Sequence, residues 1–338
     1  MKAAVLHEFK RPLATEEVER PARGPEEVLV EVEACGVCHS DLHVIDGDWP
    51  QFAKIVKKPL IPGHEVVGRV VEKGAAVRGI ELGDRVGVGW IHWTCGECEF
   101  CRGGNENLCP SQKITGVTVD GGYAQFIKAP ASHVLAVPAG VSPTEVAPLF
   151  CAGVTVYRAL HKGNIAANQR VAVFGVGGLG HLAVQIARCL GAEVIAVDVS
   201  EEKLALAKSL GAASTVSATA KDAVRQLRAK GGAHVVLVTS ASKAAYDLAF
   251  FAVRPTGTLL VVGLPAENIC FPPILMAGGE IHIHASAVGT REDMRNVLAM
   301  AAAAQVRCHV TTRPLAEANE VLEQLRCGQV AGRIVLVP

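Results

Sequence analysis

The chain has 338 residues, enough for two domains at roughly 100–200 residues each. Thirty-three Lys and Arg balance 33 Asp and Glu, and only 4% of residues are aromatic, so neither charge nor a stacking surface argues for a nucleic-acid or membrane partner. The opening MKAAVLHEFKRP carries no apolar export segment, and no apolar run approaches the ~18 residues needed to span a bilayer. The eleven cysteines are therefore expected to be metal ligands and core residues in a reducing cytoplasm.

Short Val/Ile segments with Gly/Pro punctuation fill the first 150 residues and predict an antiparallel β domain. Strands are expected at Glu27–Val32, Val66–Glu72 and Asp84–Val88. Charge alternates with apolar residues along Glu27–Glu33, as in a strand with one face in water. Cys95, Cys98, Cys101 and Cys109 follow within fifteen residues, in a lobe spanning 93–111. Zn²⁺ takes four thiolates tetrahedrally, and short Cys-x-x-Cys turns deliver them in pairs. Such a closed set leaves no position for substrate, so this zinc is structural.

The character changes near Pro148. Val154, Tyr157 and Leu160 have helical spacing, and residues 170–198 then read strand, glycine turn, helix, strand. The apolar runs Val171–Phe174 and Val194–Val197 are continuous, which fits buried parallel strands. Helices near Glu201–Leu210 and Ala244–Val253 alternate with strands near Val235–Val238 and Leu259–Val262, the pattern of a doubly wound α/β sheet. The loop Gly175, Val176, Gly177, Gly178, Leu179, Gly180 is a dinucleotide fingerprint in its proper context. Its first glycine permits a tight turn, its second lets backbone approach a pyrophosphate, and its third packs helix on strand. The helix N-terminus offers free N–H groups to phosphate. Asp198 follows eighteen residues after Gly180, placed to accept from both ribose hydroxyls and to repel a 2′-phosphate, which favours NAD over NADP. His282 and His284 alternate on an expected strand, with no third ligand evident in the sequence. The tail from about Gly289 holds a helix, a short strand and a final strand from Arg333.

Taken together, CHSDLH at 38–43, GHEVVG at 63–68, the four-cysteine lobe, CAGVT at 151–155, GVGGLG at 175–180 and Gly332-Arg333 resemble the zinc-dependent alcohol dehydrogenases of the medium-chain dehydrogenase/reductase family, in its yeast-like and bacterial branch. The resemblance covers essentially the full length. It implies a discontinuous, mainly β, GroES-like catalytic domain over 1–152 and 289–338 around a Rossmann domain over 153–288. It also implies a second, catalytic zinc held by Cys38, His64 and Cys151, with Glu65 close enough to visit the metal and Asp41 orienting His64. Cys35 is then packing rather than half of a redox pair. His39, Thr155, Lys203, Val288 and Arg333 become cofactor contacts beside the glycine loop and Asp198. Ser40, Trp49 and Trp90 become the substrate pocket. Two thiolates and a neutral imidazole leave zinc a Lewis acid that acidifies a bound alcohol, while NAD carries the redox step. Ser40 would take the hydroxyl proton and pass it through the cofactor ribose to His43, imidazole being the side chain that changes charge closest to neutrality.

The expected reaction is reversible hydride transfer between a primary alcohol/aldehyde pair and NAD⁺/NADH. The resemblance suggests a homotetramer, with a homodimer second, and Glu280–Ser286 as a subunit contact. Within enzymes, a polyol dehydrogenase often replaces the third zinc ligand by a carboxylate, against Cys151. A cinnamyl-type enzyme normally takes NADP, against Asp198. A zinc-free quinone reductase would lack the ligands altogether, and a non-catalytic binding protein of the same fold would have no need of the zinc set and the relay.

Overall fold

Glu27–Gly36 is the longest strand, and a seven-stranded sheet is built around it. The computed structural model describes residues 1–338, the side chain of Gln51 excepted. One edge of Glu27–Gly36 pairs antiparallel with Val66–Lys73. The other pairs with Phe126–Pro130 near its start and Arg333–Val337 near its end. Val28, Val30 and Val32 are buried on one face while Glu27, Glu31 and Glu33 reach solvent on the other, as the alternation implied, with Leu29 buried between them; Glu33 is clasped by Arg69 at 3.1 Å and Arg85 at 2.6 Å. The sheet is antiparallel as expected except where the tail joins it: Val310–Pro314 runs parallel to Arg333–Val337. That return of the chain end places Arg333 beside residues of the first hundred.

The chain divides into two units, Met1–Val154 with Thr290–Pro338, and Thr155–Gly289. The second unit is a six-stranded, wholly parallel sheet in the order Ser214–Ser217, Glu193–Asp198, Arg170–Phe174, Ala233–Val238, Val253–Val261, His282–Ala285. Val171, Val173, Val236 and Leu237 are fully buried, which explains their continuous apolar runs. Strand order reverses at Arg170–Phe174, the topological switch point where doubly wound sheets bind ligands, and the glycine loop leaves from that strand. The helix predicted to end at Val253 stops at Ala252, because Val253 already pairs with Ala233. Strand Glu280–Ser286 is shorter than expected, since Glu280 takes a left-handed conformation (φ 47°) at the end of helix Pro273–Gly279. Among the described residues no helix is long and apolar enough to cross a membrane.

Candidate active site

Cys38 opens the helix His39–Asp46 as its N-cap. Its sulfur accepts from the backbone of Asp41, and the Asp41 carboxylate accepts from the Cys38 N–H at 2.9 Å. This is a capping box with cysteine in the serine position, so the C-x-x-D spacing that builds the helix end also aims a sulfur. A thiol at a helix N-terminus, facing the positive end of the dipole, favours the thiolate. His64 arrives on the turn before strand Val66–Lys73, and Cys151 follows the short helix Ala147–Phe150. Gly63 (φ 94°) permits that turn, and a side chain there would come within 2.4 Å of the Tyr123 ring.

The structure brings Cys38, His64, Glu65 and Cys151 together, one ligand atom from each lying within 4.8 Å of the others, all buried. The Cys38 and Cys151 sulfurs are 4.0 Å apart. A zinc–thiolate tetrahedron with arms of about 2.3 Å has edges of about 3.8 Å, so the two thiols fit one ion. His64 Nδ1 is 2.9 Å from Asp41 Oδ1, which leaves Nε2 to the site; that atom is buried with no hydrogen-bond partner among the described residues. A bare, dry imidazole nitrogen facing two thiols is the donor set a zinc ion completes. The Cys151 contact holds the Cys38 thiol well below the usual range, and the same contact pushes Cys151 well up. Burial would lower His64, and the Asp41 carboxylate overrides it and raises the imidazole well above its usual value. Burial also pushes the Glu65 carboxyl up, against Arg333 Nη2, which donates to both carboxylate oxygens from a guanidinium that stays charged. Gly36 makes room for that pair: a side chain there would run into Glu65 Oε2. Arg333, expected at the cofactor, is found against Glu65, a contact that the sequence did not suggest.

Cys95, Cys98, Cys101 and Cys109 form the second set, again within 4.8 Å. Backbone N–H groups of Cys98 and Cys101 donate to the sulfurs of Cys95 and Cys98 at 3.4 and 3.5 Å. Donation from the Glu97 and Cys98 backbone pulls the Cys95 thiol down to about 6. Burial pushes Cys101 the other way, up to about 12, but the backbone N–H groups are turned toward sulfur acceptors, as a closed zinc knuckle requires.

In the second unit, Gly175 (φ 88°) turns sharply out of its strand, and a side chain on Gly180 would strike the Gly175 carbonyl at 1.7 Å. A side chain on Gly177 would meet no protein atom within 4 Å, so the backbone there borders open space where a pyrophosphate can approach. Gly178 continues the loop and Leu179 caps helix Gly180–Cys189. The Asp198 carboxylate accepts from Val176 N at 2.6 Å and from Ser200 N at 3.0 Å, so it holds the glycine loop. Each oxygen retains a lone pair for a ribose hydroxyl. Lys203 donates its backbone N–H to the Ser200 side chain in the next helix cap. Thr155 is buried on helix Ala152–Lys162. Val288 holds φ 47°, rare for a β-branched residue and a mark of local strain.

Aromatic rings line one side of the metal ligands. Trp90 is edge-on to His64 at 4.9 Å, Phe52 is 6.1 Å from Trp90, Trp49 is 5.3 Å from Phe52, and His43 stacks on Trp49 at 4.5 Å. Phe52 was not singled out in the sequence; its only signal is a Trp49-Pro-x-Phe52 spacing. His43 Nδ1 lies 3.3 Å from Asp48 Oδ2, another partner the sequence did not suggest. His39 and Ser40 begin the helix behind Cys38, and Ser40 is half-buried.

Fold and donor sets define a zinc-binding dehydrogenase with a GroES-like domain and a Rossmann domain. Residues 24–139 match the alcohol dehydrogenase GroES-like domain, and residues 178–303 match the zinc-binding dehydrogenase domain. An alcohol dehydrogenase of Geobacillus stearothermophilus is 48% identical over 99% of this chain and 98% of its own. The crystal structure of the alcohol dehydrogenase of Aeropyrum pernix covers 100% of both chains with a TM-score of 0.93 at 37% identity. That of acetophenone reductase from Geotrichum candidum, in complex with NAD, covers 100% of this chain and 97% of that one, with a TM-score of 0.90 at 32% identity. The chain belongs to the zinc-binding medium-chain alcohol dehydrogenase family.

Proposed function

We propose that this chain oxidises primary alcohols to aldehydes, reversibly, with NAD⁺ as hydride acceptor. The observation that carries the reading is the buried Cys38, His64 and Cys151 set with a bare His64 Nε2, in a chain that also carries the glycine loop and Asp198. When bound, zinc supplies the Lewis acidity that loosens a hydroxyl proton, and NAD⁺ accepts the hydride from the carbinol carbon.

The chain's own residues do the rest. Cys38, His64 and Cys151 would hold the ion, with Asp41 fixing the His64 tautomer. Glu65, clasped by Arg333, is a reserve carboxylate rather than a standing ligand. Ser40 Oγ would accept the substrate's hydroxyl proton as it gives up its own toward His43, and His43 would take up that proton and release one to water from a ring whose side chain is 25% exposed. Asp48 holds that ring in place. Trp90 and Phe52 wall the site and exclude water from it. Asp198 selects NAD by accepting from the ribose hydroxyls and opposing a 2′-phosphate.

Eleven free cysteines, without a disulfide among the described residues, fit a reducing cytoplasm. We read the assembly as a homotetramer, with a homodimer second. Strand His282–Ala285 is the sheet's edge, and Ile274 and Leu275, on the helix that precedes it in the chain, are 78% and 46% exposed, so a second copy is the occupant we assign to that face. A monomer by light scattering would end that part of the reading.

The activity is tested by following NADH formation over a panel of primary and secondary alcohols with NAD⁺ and NADP⁺. His43→Ala should slow oxidation most at acid and neutral pH, with partial rescue by imidazole buffer. An unchanged pH–rate profile would remove His43 from the proton path.

A further inference from the structure

Tyr123 is fully buried and has no part in the reaction as described so far. Its backbone is stitched to the segment that delivers His64: Tyr123 N donates to Pro62 O at 3.0 Å, and its neighbours Gly121 and Gly122 donate to Ile61 O and Gly63 O at 2.6 and 2.8 Å. Its ring fills the space that the absent side chain of Gly63 leaves free. Its hydroxyl crosses to the other ligand-bearing element and donates to Asp41 Oδ2 at 3.0 Å. Asp41 Oδ2 also takes the Cys38 N–H, and Asp41 Oδ1 faces His64 Nδ1, both at 2.9 Å. One residue therefore grips the His64 turn by backbone and ring, and the Cys38 helix by its hydroxyl.

The bland alternative is a core tyrosine whose hydroxyl has found the nearest acceptor. Two features favour more. The acceptor is the carboxylate that sets the tautomer of a metal ligand. Asp41, His64 and Tyr123 are each no more than 1% exposed, so no water competes for the lone pairs. With three donors shared over two oxygens, the Asp41 carboxylate has little rotational freedom.

We propose that Tyr123 is a positioning residue for the catalytic zinc: its hydroxyl locks Asp41 so that His64 Nε2 and the Cys38 sulfur are held at metal-binding separation. The proposal rests on Cys38, His64 and Cys151 being zinc ligands. Its effect should be that of other groups behind metal ligands, a loss of about 10–100-fold in metal affinity.

The test uses the full zinc-loaded chain and Tyr123→Phe, which keeps the ring and removes only the hydroxyl. Zinc transfer to a chromogenic chelator is followed, together with the visible bands of the cobalt-substituted catalytic site. We expect one of two zinc ions to be held at least tenfold more weakly, the other to be unchanged, and the cobalt bands to shift. In an Asp41→Asn background, removing the hydroxyl should add little further loss, because it acts through Asp41. Unchanged chelator competition and cobalt spectrum, or fully additive losses, would overturn the proposal. So would a Tyr123→Phe chain that does not fold, since that would assign the hydroxyl to the fold. Cys151→Ala is the control for the underlying reading: if it still holds two zinc ions, the ligand assignment itself is wrong, independently of Tyr123.

Discussion

Trp90 is 9% exposed and edge-on to the ring of His64, and on the proposed function its indole would border the carbinol carbon. Primary alcohols present a hydrogen there and secondary alcohols a second carbon. Overfilling a packed apolar site costs on the order of 1–3 kcal/mol, which corresponds to roughly 10–200-fold discrimination. Trp90→Ala should therefore relax the preference toward secondary or branched alcohols, read as kcat/KM for a primary and a secondary alcohol of equal carbon number in both proteins. An unmoved ratio would make Trp90 a core residue. At the ribose site, Asp198→Gly should weaken NAD and improve NADP relative to it. Because Asp198 also bonds Val176 N, the same change should loosen the glycine loop and raise KM for both cofactors. Wild-type use of NADP as efficient as NAD would contradict the selectivity argument.

Single residues were legible where their chemistry is local. Four cysteines in one short lobe announce a metal, and the glycine loop announces its turn, because ligand spacing and backbone freedom are written within a few positions. Tyr123 and the Glu65–Arg333 pair were not legible. Each is a contact between segments far apart in sequence, 268 residues for Glu65 and Arg333, and a buried tyrosine or arginine looks locally like any other. The Cys38–Asp41 capping box was present in the text as C-x-x-D but is easily overlooked, since cysteine is an unusual cap.

At the scale of elements, the four-cysteine lobe is tied down at two points. Glu106, between Cys101 and Cys109, accepts from the backbone and guanidinium of Arg291, the first residue of helix Arg291–Ala302. Thr94, just before Cys95, donates its N–H to His133 Nε2 at 3.1 Å, and His133 Nδ1 faces Ser132 Oγ at 2.9 Å. His133 must therefore stay neutral, with its proton on Nδ1. Burial lowers both His133 and the nearby His92 to about 4. Their folded values lie below the unfolded value of roughly 6.5, so the unfolded chain takes up protons first as pH falls. Their contribution is complete above about pH 6.5 and is lost progressively as pH drops toward 4. Thermal midpoints should decline across that window, and His133→Gln, whose amide oxygen can accept from Thr94 without titrating, should show a shallower decline. An equal slope in the two proteins would show that His133 does not govern the lobe's acid sensitivity. The strands behind these contacts were readable from periodicity, but the central position of Glu27–Gly36 was not. Alternating charge correctly suggested a partly wet face, but nothing local showed that Arg333–Val337 would return to pair with the strand's far end at Cys35 and Gly36.

At the scale of the whole molecule, the chain separates its chemistry between two units, metal ligands in one and the glycine loop in the other. The doubly wound sheet was visible in the sequence because its strands are buried on both faces and read as unbroken apolar runs. The first unit's sheet joins strands from both ends of the chain; the strands near Glu27, Val66, Asp84 and Arg333 could be read, but not their order in the sheet. The central claim is that two disjoint ligand sets hold two zinc ions with different work to do. Metal analysis per chain, on wild type, Cys151→Ala and Cys98→Ala, tests it most directly. The account predicts two zinc ions in wild type. It predicts one in a folded but inactive Cys151→Ala chain, and a destabilised lobe in Cys98→Ala because structural zinc supplies local folding energy. One zinc ion in fully loaded wild type, or full activity in Cys151→Ala, would contradict it.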